Sequence, residues 1–167
     1  MLLVAQSIPD LDFTQLMTVY REGNIENGEI FYPQFTLYEQ LQLAEQDFYD
    51  FLRDFFRIPG AFYAIYQMDN HYMSALRMEP YQDGLLLEAL ETDPLYRRQG
   101  YAAALINETF TYLSKNAPCI VYSHVSCKNI PSIKVHEKAG FKKILDYAVY
   151  IDGSISTSAD TWKCVIY

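Results

Sequence analysis

The sequence contains little cysteine, and this shortage excludes several kinds of small stabilised protein. Its three cysteines, Cys119, Cys127 and Cys164, are an odd number without a paired short spacing. They therefore form neither a disulfide framework nor a zinc signature, and we expect no bound metal ion. We interpret them as small residues in or near the strands of a protein that stays in a reducing environment.

Positive charge is scarce as well, which bears on the partners of the protein. The chain has 13 Lys and Arg residues against 21 Asp and Glu residues, so its formal net charge is −8. Because binding to nucleic acid needs a basic face that neutralises phosphates, we expect no nucleic-acid partner. An acidic surface attracts cationic small molecules, although the same balance is ordinary for a soluble protein.

Long apolar runs and a basic leader segment are also missing. No window of the sequence approaches the length of a transmembrane helix. Residues 1–10 have neither the basic start nor the apolar run of a signal peptide. We therefore expect a cytoplasmic protein that has no membrane partner.

Apolar side chains, by contrast, are plentiful. They make up 50% of the chain, and aromatic residues make up 16%, which is ample material for a buried core. At this length one core corresponds to one domain, which we expect to span residues 1–167. We find no internal repeat, low-complexity tract or domain linker in the sequence.

The N-terminal third predicts a strand and two helices. Residues 2–8 have the composition of a strand, Asp10 is positioned to cap a first helix, and residues 23–28 are predicted to form a loop. Thr36 and Glu39 match a capping box, in which each side chain accepts a hydrogen bond from the backbone of the other. This pair predicts the start of the second helix.

The second helix is predicted to be amphipathic. Apolar residues recur at alternating steps of about three and four, the period of an α-helix. They are Leu37, Leu41, Ala44, Phe48, Phe51, Leu52 and Phe55. The opposite face carries Glu39, Glu45, Asp47, Asp50 and Asp54. This acidic face is either a solvated surface or a rim that attracts a basic substrate.

Three strands follow and predict an antiparallel meander. Residues 61–68 and 71–79 are rich in aromatic and β-branched side chains, and a turn-forming Asp-Asn pair separates them. Residues 80–84 form a second predicted turn. The strand that begins at Leu85 is a nearly continuous apolar run, which is typical of a central strand covered on both faces.

Glu88 interrupts this apolar strand. The alternation of a strand predicts one face with Leu86, Glu88, Leu90 and Thr92, and another with Leu85, Leu87, Ala89 and Glu91. A carboxylate in a central strand costs free energy unless it is hydrogen-bonded or lines a cavity. Glu88 is therefore a candidate general base or an anchor for a substrate amine. The alternative is a strand-end carboxylate that water reaches.

Arg97, Arg98 and Gly100 occupy the place where the next helix begins. The first backbone N–H groups of a helix have no partner within it, and the helix dipole is positive there, so this end suits an anionic phosphate. The helix is followed by a predicted strand at residues 118–125. A strand, a helix and a strand in this order predict a right-handed crossover and a parallel pair.

The C-terminal part completes the predicted fold. A short helix opens at residues 129–132 and ends at Gly140, and residues 141–150 and 162–167 are predicted to form a closing antiparallel pair. The predicted class is α/β, or α+β by a stricter naming. The sheet is mixed, twisted and mostly antiparallel, with one central parallel pair and helices on both faces.

Two segments of the chain resemble the signatures of a known superfamily. The segment Arg97-Arg-Gln-Gly-Tyr-Ala102 is similar to the Arg/Gln-x-x-Gly-x-Gly/Ala signature of the GNAT N-acetyltransferases. The segment Asn129-Ile-Pro-Ser-Ile-Lys-Val-His-Glu-Lys-Ala-Gly-Phe141 resembles their second signature, in which an Asn and a Ser precede a short helix that ends in Gly-Phe. The resemblance is sharp over residues 85–141 and implies the acyl-CoA N-acyltransferase fold of that superfamily.

The resemblance implies acetyl-CoA as the donor and assigns each matching position a role. Backbone amides of Arg97, Arg98, Gln99, Gly100, Tyr101 and Ala102 would cradle its pyrophosphate, with charge added by the two arginine side chains. Backbone groups of Leu90, Glu91 and Thr92 would bind the pantetheine arm, and Asn129 and Ser132 would bind the far side of the cofactor. The acceptor would be a primary amine of a small molecule or a peptide. A homodimer is an expectation at the level of the superfamily.

The same resemblance suggests catalytic candidates. A neutral amine attacks the thioester, so Glu88 or Glu91 is a candidate base, acting directly or through water. A backbone N–H near Leu90 or Glu91 is a candidate oxyanion donor. Where the superfamily often has a tyrosine as general acid, this chain has His136. That histidine either donates the proton or packs against the cofactor without a proton-transfer role. We interpret His71 and His124 as structural.

The sequence is compatible with two classes of function. The first is an enzyme that acetylates an amine, and the second is a non-catalytic domain that binds or senses acyl-CoA. The N-terminal half adds aromatic residues that either line an acceptor pocket or belong to the core. They are Tyr20, Phe31, Tyr32, Phe35 and Tyr38.

Overall fold

A computed structural model describes residues 1–116 and 118–167. Within these ranges the strands are β1 (Leu2–Ala5), β2 (Phe62–Met68), β3 (His71–Tyr81), β4 (Gly84–Thr92), β5 (Cys119–Ser126), β6 (Lys142–Leu145), β7 (Ala148–Val149), β8 (Ile155–Ser156) and β9 (Ala159–Ile166). The helices are α1 (Phe13–Val19), α2 (Arg21–Phe31), α3 (Leu37–Phe55), α4 (Tyr101–Leu113) and α5 (Ile130–Lys138).

Seven of these strands form one mixed sheet in the order β1-β2-β3-β4-β5-β9-β6, and β7 pairs with β8 in a separate hairpin. The only parallel neighbours in the described sheet are β4 and β5, which α4 connects. The other neighbours are antiparallel. The predicted fold class is therefore confirmed, including the central parallel pair.

Helices cover both faces of the sheet and enclose two cores. On one face α1 and α3 contribute Leu16, Leu52 and Phe55, which pack on Tyr63 and Ile65 of β2. On the other face, α4 buries residues such as Leu105 and Ile106 against the middle of the sheet. None of the helices in the described ranges combines the length and apolar character that crossing a membrane requires.

In the meander of β2, β3 and β4, the turn between β2 and β3 is as predicted, and the turn between β3 and β4 is shorter than predicted. Asp69 and Asn70 join β2 to β3 with φ angles of 50° and 60°, the left-handed conformation that a tight hairpin needs. Pro80, predicted to lie in the second turn, is instead part of β3 and faces Leu85 of β4. The strand β2 pairs with β3 only as far as Met78, so Pro80 has a neighbour on one side and its missing N–H is tolerated.

The start of the chain differs from the prediction in where the first strand ends and the first helix begins. The strand stops at Ala5, and Asp10 accepts hydrogen bonds from Gln6 N and Ser7 Oγ within a short 3₁₀ turn. Asp12, rather than Asp10, caps α1 by accepting a hydrogen bond from Gln15 N at 3.1 Å. Asp10 does not cap the helix because its carboxylate already accepts hydrogen bonds from Gln6 and Ser7 in the turn before it.

The predicted loop at residues 23–28 is wrong, because these residues lie within α2. Gly28 is buried at the contact with α3, where an added Cβ would lie 2.8 Å from the carbonyl oxygen of Gln40. Gly28 therefore allows α2 and α3 to approach each other closely, and it does not form a turn. The capping box of Thr36 and Glu39, by contrast, is confirmed at the start of α3.

The predicted closing pair is only partly correct. As predicted, β6 pairs antiparallel with β9, at the edge of the sheet. Ala148 and Val149, which were predicted to continue this pair, instead form the hairpin β7–β8. This hairpin folds back toward the sheet, since Tyr81 Oη donates a hydrogen bond to Val149 O at 2.6 Å and Thr161 Oγ1 donates one to Tyr147 O.

Candidate active site

The two central parallel strands part from each other halfway along their length. Pairing between β4 and β5 runs from Leu85 with Val121 to Leu87 with Ser123. Beyond that point β4 continues to Thr92 and β5 to Ser126 as separate arms. We call the point of parting, at Leu87 and Ser123, the fork. Each arm presents backbone N–H and C=O groups along the gap, where a ligand can pair with them.

A β-bulge follows the fork on β4 and changes which side chains share a face. Arg77 of β3 faces Glu88, whereas Ala75 faces Glu91, so two residues of β4 occupy one step of the pairing. Ala89 sits in the bulge with a φ of 50°, and its carbonyl accepts a hydrogen bond from Tyr20 Oη at 2.7 Å. The prediction that Glu88 and Glu91 point to opposite faces is therefore wrong, because it assumed an uninterrupted alternation.

A group of polar side chains gathers beside the fork on the face that α3 covers. We call Arg77, Glu79, Glu88 and His124 the polar cluster. The Arg77 guanidinium donates to Glu88 Oε2 from Nη2 at 3.0 Å and from Nε at 3.2 Å. It also lies 4.7 Å from the ring centre of Phe51 on α3. The two side chains of the pair are 24% and 21% exposed, so solvent reaches this part of the cluster.

Glu79 is the buried member of the cluster. It is only 8% exposed and lies diagonally across from Glu88 on the same face of the sheet. Burial and the neighbouring Glu88 carboxylate together raise the pKa of Glu79 to about 7, against an opposing effect of Arg77. A carboxyl group beside the fork therefore exchanges its proton near neutral pH.

His124 lies on the β5 side of the fork, where its ring has aromatic neighbours. It makes edge contacts with Tyr81 and with Tyr150 of the hairpin, with ring centres 5.5 and 5.4 Å away. Both ring nitrogens are buried without a hydrogen-bond partner among the described residues. Burial lowers the pKa of His124, although the charge of Glu88 opposes this. The polar cluster therefore includes a neutral imidazole whose two ring nitrogens have no hydrogen-bond partner among the described residues.

The start of α4 has the form of an anion cradle. Gly100 precedes the helix with a φ of 88°, and Arg98 has a φ of 64°. An added Cβ at Gly100 would meet no heavy atom within 4 Å, so the space in front of its backbone is open. The residues therefore fit a phosphate group, which needs backbone N–H groups that side chains do not cover.

The arginine side chains of the cradle have different surroundings. Arg97 Nη2 lies 2.7 Å from Glu22 Oε2 on α2 and 3.7 Å from Glu91 Oε2. Its charge is thus directed at these carboxylates. Arg98 is exposed and forms no ion pair within residues 1–116 and 118–167. The half-exposed Glu91 has its pKa raised by burial, an effect that Arg97 opposes.

The arm of β4 beyond the bulge contains the residues predicted to bind the pantetheine chain. Leu90 packs against the core under α4. On the side toward β3, Ser74 Oγ donates to Glu91 O at 2.5 Å, and Thr92 Oγ1 donates to Ser74 Oγ at 3.1 Å. These hydrogen bonds hold the arm of β4 against β3. The opposite edge of the arm faces the gap between β4 and β5.

The second signature segment begins with a helix cap. Asn129 Oδ1 accepts a hydrogen bond from Ser132 N at 3.1 Å and so caps α5. His136 is 2% exposed in this helix. Its Nδ1 lies 2.8 Å from Ser132 O, and its Nε2 lies 2.9 Å from Ser123 Oγ at the fork.

These contacts fix the tautomer of His136. A carbonyl oxygen only accepts, so Nδ1 carries the proton, and Nε2 of the neutral ring accepts from the Ser123 hydroxyl. Burial lowers the pKa of His136, which favours this neutral form. The predicted role as a general acid therefore requires the protonated ring, whose second proton would point along Nε2 toward Ser123.

Sequence reasoning missed three members of the polar cluster. Arg77 and Glu79 alternate with apolar residues in β3, and the argument that singled out Glu88 applies equally to them. His124 was interpreted as structural, since nothing in the sequence indicates that its ring nitrogens lack partners. No group of three or more His, Cys, Asp or Glu side chains suited to a metal ion occurs among the described residues.

Comparison with known families identifies the class of protein that this geometry belongs to. The model of the acetyltransferase (GNAT) family matches residues 26–141, more than half of the chain. The chain therefore belongs to the GNAT acetyltransferase family, and it is an enzyme of the acyltransferase class. A search of curated protein sequences gave no significant match.

Solved structures with a similar fold include several N-acetyltransferases. The PaiA N-acetyltransferase of Thermoplasma acidophilum in complex with coenzyme A aligns over 99% of both chains, with 14% identity and a TM-score of 0.65. An N-acetyltransferase of Staphylococcus aureus Mu50 aligns over 100% of this chain and 99% of its own, with 12% identity and a TM-score of 0.61. Ard1 of Thermoplasma volcanium aligns over 94% and 95%, with 18% identity and a TM-score of 0.59. Identities this low establish the shared fold alone.

Proposed function

We propose that the protein transfers the acetyl group of acetyl-CoA to a primary amine of a small molecule or a peptide by direct attack on the thioester. The observation that carries this proposal is the fork between β4 and β5, which lies beside the polar cluster. The fork offers unpaired backbone groups for an extended ligand, and the cluster offers carboxylates for an amine. Family membership supports the same reaction class.

The donor would be held at two places. The backbone of residues 97–102 would bind the pyrophosphate, in the open space before Gly100, with added charge from the exposed Arg98. Leu90, Glu91 and Thr92 would pair with the pantetheine arm along the free edge of β4. Asn129 and Ser132 at the start of α5 would adjoin the far side of the donor. When bound, acetyl-CoA supplies the acetyl thioester.

The chain itself would supply the groups that handle charge and protons. Glu88 would take the proton of the amine, or Glu91 would do so through water. A backbone N–H of the bulge near Leu90 would donate a hydrogen bond to the carbonyl oxygen as charge develops on it. His136 remains the proposed acid for the leaving thiolate, in its protonated form and through the Ser123 hydroxyl.

The proposal is tested by incubating the protein with acetyl-CoA and a panel of polyamines, aminoglycosides, amino acids and peptides. Free thiol release is measured, and protection against heat by acetyl-CoA alone is measured in parallel. We expect protection by the donor and thiol release that depends on an amine. Protection without turnover on any amine would reject this proposal and favour a domain that only binds or senses acyl-CoA.

A further inference from the structure

Two carboxyl side chains on neighbouring strands meet next to the fork. Glu79 of β3 and Glu88 of β4 lie at diagonal positions on the same face of the sheet, because Arg77 faces Glu88 and Glu79 faces Leu86. Glu79 is buried, whereas Glu88 is 21% exposed. A ligand that enters from solvent therefore touches Glu88, and Glu79 supports Glu88 from behind.

The charges around this pair are not balanced. Arg77 is the cation whose charge acts on both carboxyl groups, and its guanidinium already forms an ion pair with Glu88. The neighbouring Tyr63 is fully buried and lies beside the same guanidinium. Two carboxyl groups beside one guanidinium leave room for a second positive charge.

We propose that Glu79 and Glu88 act together as a single acid–base unit that binds the acceptor as an ammonium group and takes its proton. The inference rests on the proposed function and deepens it by naming the class of acceptor. That class is a primary amine without a carboxylate on the neighbouring carbon, because such a carboxylate would be repelled by the pair.

The proposed step balances in atoms and electrons. The ammonium group docks against the pair when both carboxyl groups are ionised. One N–H bond then breaks and one O–H bond forms on a carboxylate of the pair, which leaves a neutral amine whose lone pair is free to attack. Glu88 is the catalytic residue because it touches the amine, and Glu79 is a positioning residue that acts through Glu88.

The surroundings of the pair set the pH range of this step. Burial and contact with Glu88 raise the pKa of Glu79 to about 7, far above an ordinary carboxyl group. The groups that face the pair are Tyr63 on β2, Arg77 on β3 and His124 on β5. Arg77 favours the ionised carboxyl groups, the tyrosine is neutral below its raised pKa of about 12, and burial keeps the histidine neutral.

The pH profile of kcat/KM for an amine tests the role of Glu79. In the wild type we expect activity to rise with pH through about 7, as the pair ionises. In Glu79→Gln the buried carboxyl group with the raised pKa is absent, so the rise moves down by at least about one pH unit. The weaker base should also lower kcat/KM by about tenfold at high pH.

Controls separate this inference from the proposed function. Glu29→Gln, an exposed change on α2, should leave the profile unmoved. Heat protection by acetyl-CoA reports whether each variant folds. If Glu79→Gln does not fold, Glu79→Asp, which shortens the side chain and withdraws its carboxyl group from Glu88, should move the rise in the same direction. A rise that stays in place in the folded variant would overturn the inference, whereas a wild type that acetylates no amine would overturn the proposed function.

The class of acceptor is tested with a matched pair of substrates. Phenethylamine and phenylalanine differ only in the carboxylate next to the amine. We expect kcat/KM to favour phenethylamine by at least about tenfold, because the carboxylate meets the ionised pair. Equal values, or a preference for the amino acid, would overturn the proposed class.

Discussion

Arg77 and Glu88 form an ion pair across β3 and β4, with Nη2 and Oε2 3.0 Å apart, directly beside the point where β4 leaves β5. The guanidinium packs on Phe51 of α3, so the sheet and the helix hold it together. The pair therefore fixes Glu88 at the fork and leaves its carboxylate partly open to solvent.

Arg77→Gln should move the pH dependence of the reaction in the opposite direction from Glu79→Gln. Without the cation, the ionised form of Glu79 is less favourable, so the pKa of Glu79 rises further. We expect the rise of kcat/KM to shift upward by about one pH unit. Arg53→Gln, which removes an exposed ion pair on α3, serves as the control and should leave the profile in place. An unmoved profile in Arg77→Gln would contradict the role of this ion pair.

Gly100→Glu should abolish the protection that acetyl-CoA gives against heat. The new carboxylate would stand in the open space before α4 and repel a phosphate group. The matched control is Gly153→Glu, since Gly153 has a similar φ of 84° and also has no heavy atom near an added Cβ. Both variants bear the same backbone strain of about 1 kcal/mol. Protection that persisted in Gly100→Glu would mean that the donor binds elsewhere.

Two glycines of α2 should respond in opposite ways to the same substitution. Gly28→Ala should destabilise the protein by about 1–3 kcal/mol, because the added Cβ overlaps the backbone of Gln40 on α3. Gly23→Ala lies on the exposed side of the helix with open space around it, and should stabilise the protein by about 0.5–1 kcal/mol. Urea unfolding measures both changes. Equal effects would refute the close packing of α2 and α3.

His136→Phe should lower the free energy of unfolding by about 1–3 kcal/mol at neutral pH, because the Ser123 hydroxyl loses its acceptor. The pKa of His136 is lowered in the folded state, so the unfolded chain binds a proton first as pH falls. The wild type therefore loses stability below about pH 6.5, and the variant lacks this loss. Urea unfolding at about pH 7.5 and about pH 5.5 should give a smaller difference between the two proteins at the lower pH.

The same variant also tests the proposed acid role. A kcat and pH profile equal to those of the wild type would remove His136 as a proton donor. Ser123→Ala, alone and combined with His136→Phe, completes a double-mutant cycle, in which we expect a coupling free energy of about 1 kcal/mol. Additive effects would mean that the hydrogen bond contributes nothing to stability.

The central part of the fold was predictable because its signals are local. Apolar runs, the arginines and glycine before α4, and the Asn and Gly that bound α5 each indicate their own element. The strand-helix-strand order then leaves one arrangement, the parallel pair. The loop predicted in α2 failed because Gly28 serves a contact with α3, which the local sequence does not reveal.

The site was less predictable because it depends on pairing between strands. The bulge at Ala89 contains no glycine or proline that would predict it from the sequence. It nevertheless brings Glu88 and Glu91 to one face of β4. The diagonal placement of Glu79 and Glu88 on one face follows from the register of β3 against β4, which a single sequence does not fix. Signature residues were found from the sequence, and the side chains that surround them required the structure.

The most direct test of the account follows a labelled acetyl group from acetyl-CoA in the presence of an accepted amine. We predict that the label appears on the amine, that the protein itself remains unlabelled, and that Gly100→Glu and Glu88→Gln lose the transfer. Label that accumulated on the protein before it reached the amine would contradict direct attack. Thiol release without any acetylated amine would contradict the proposed function.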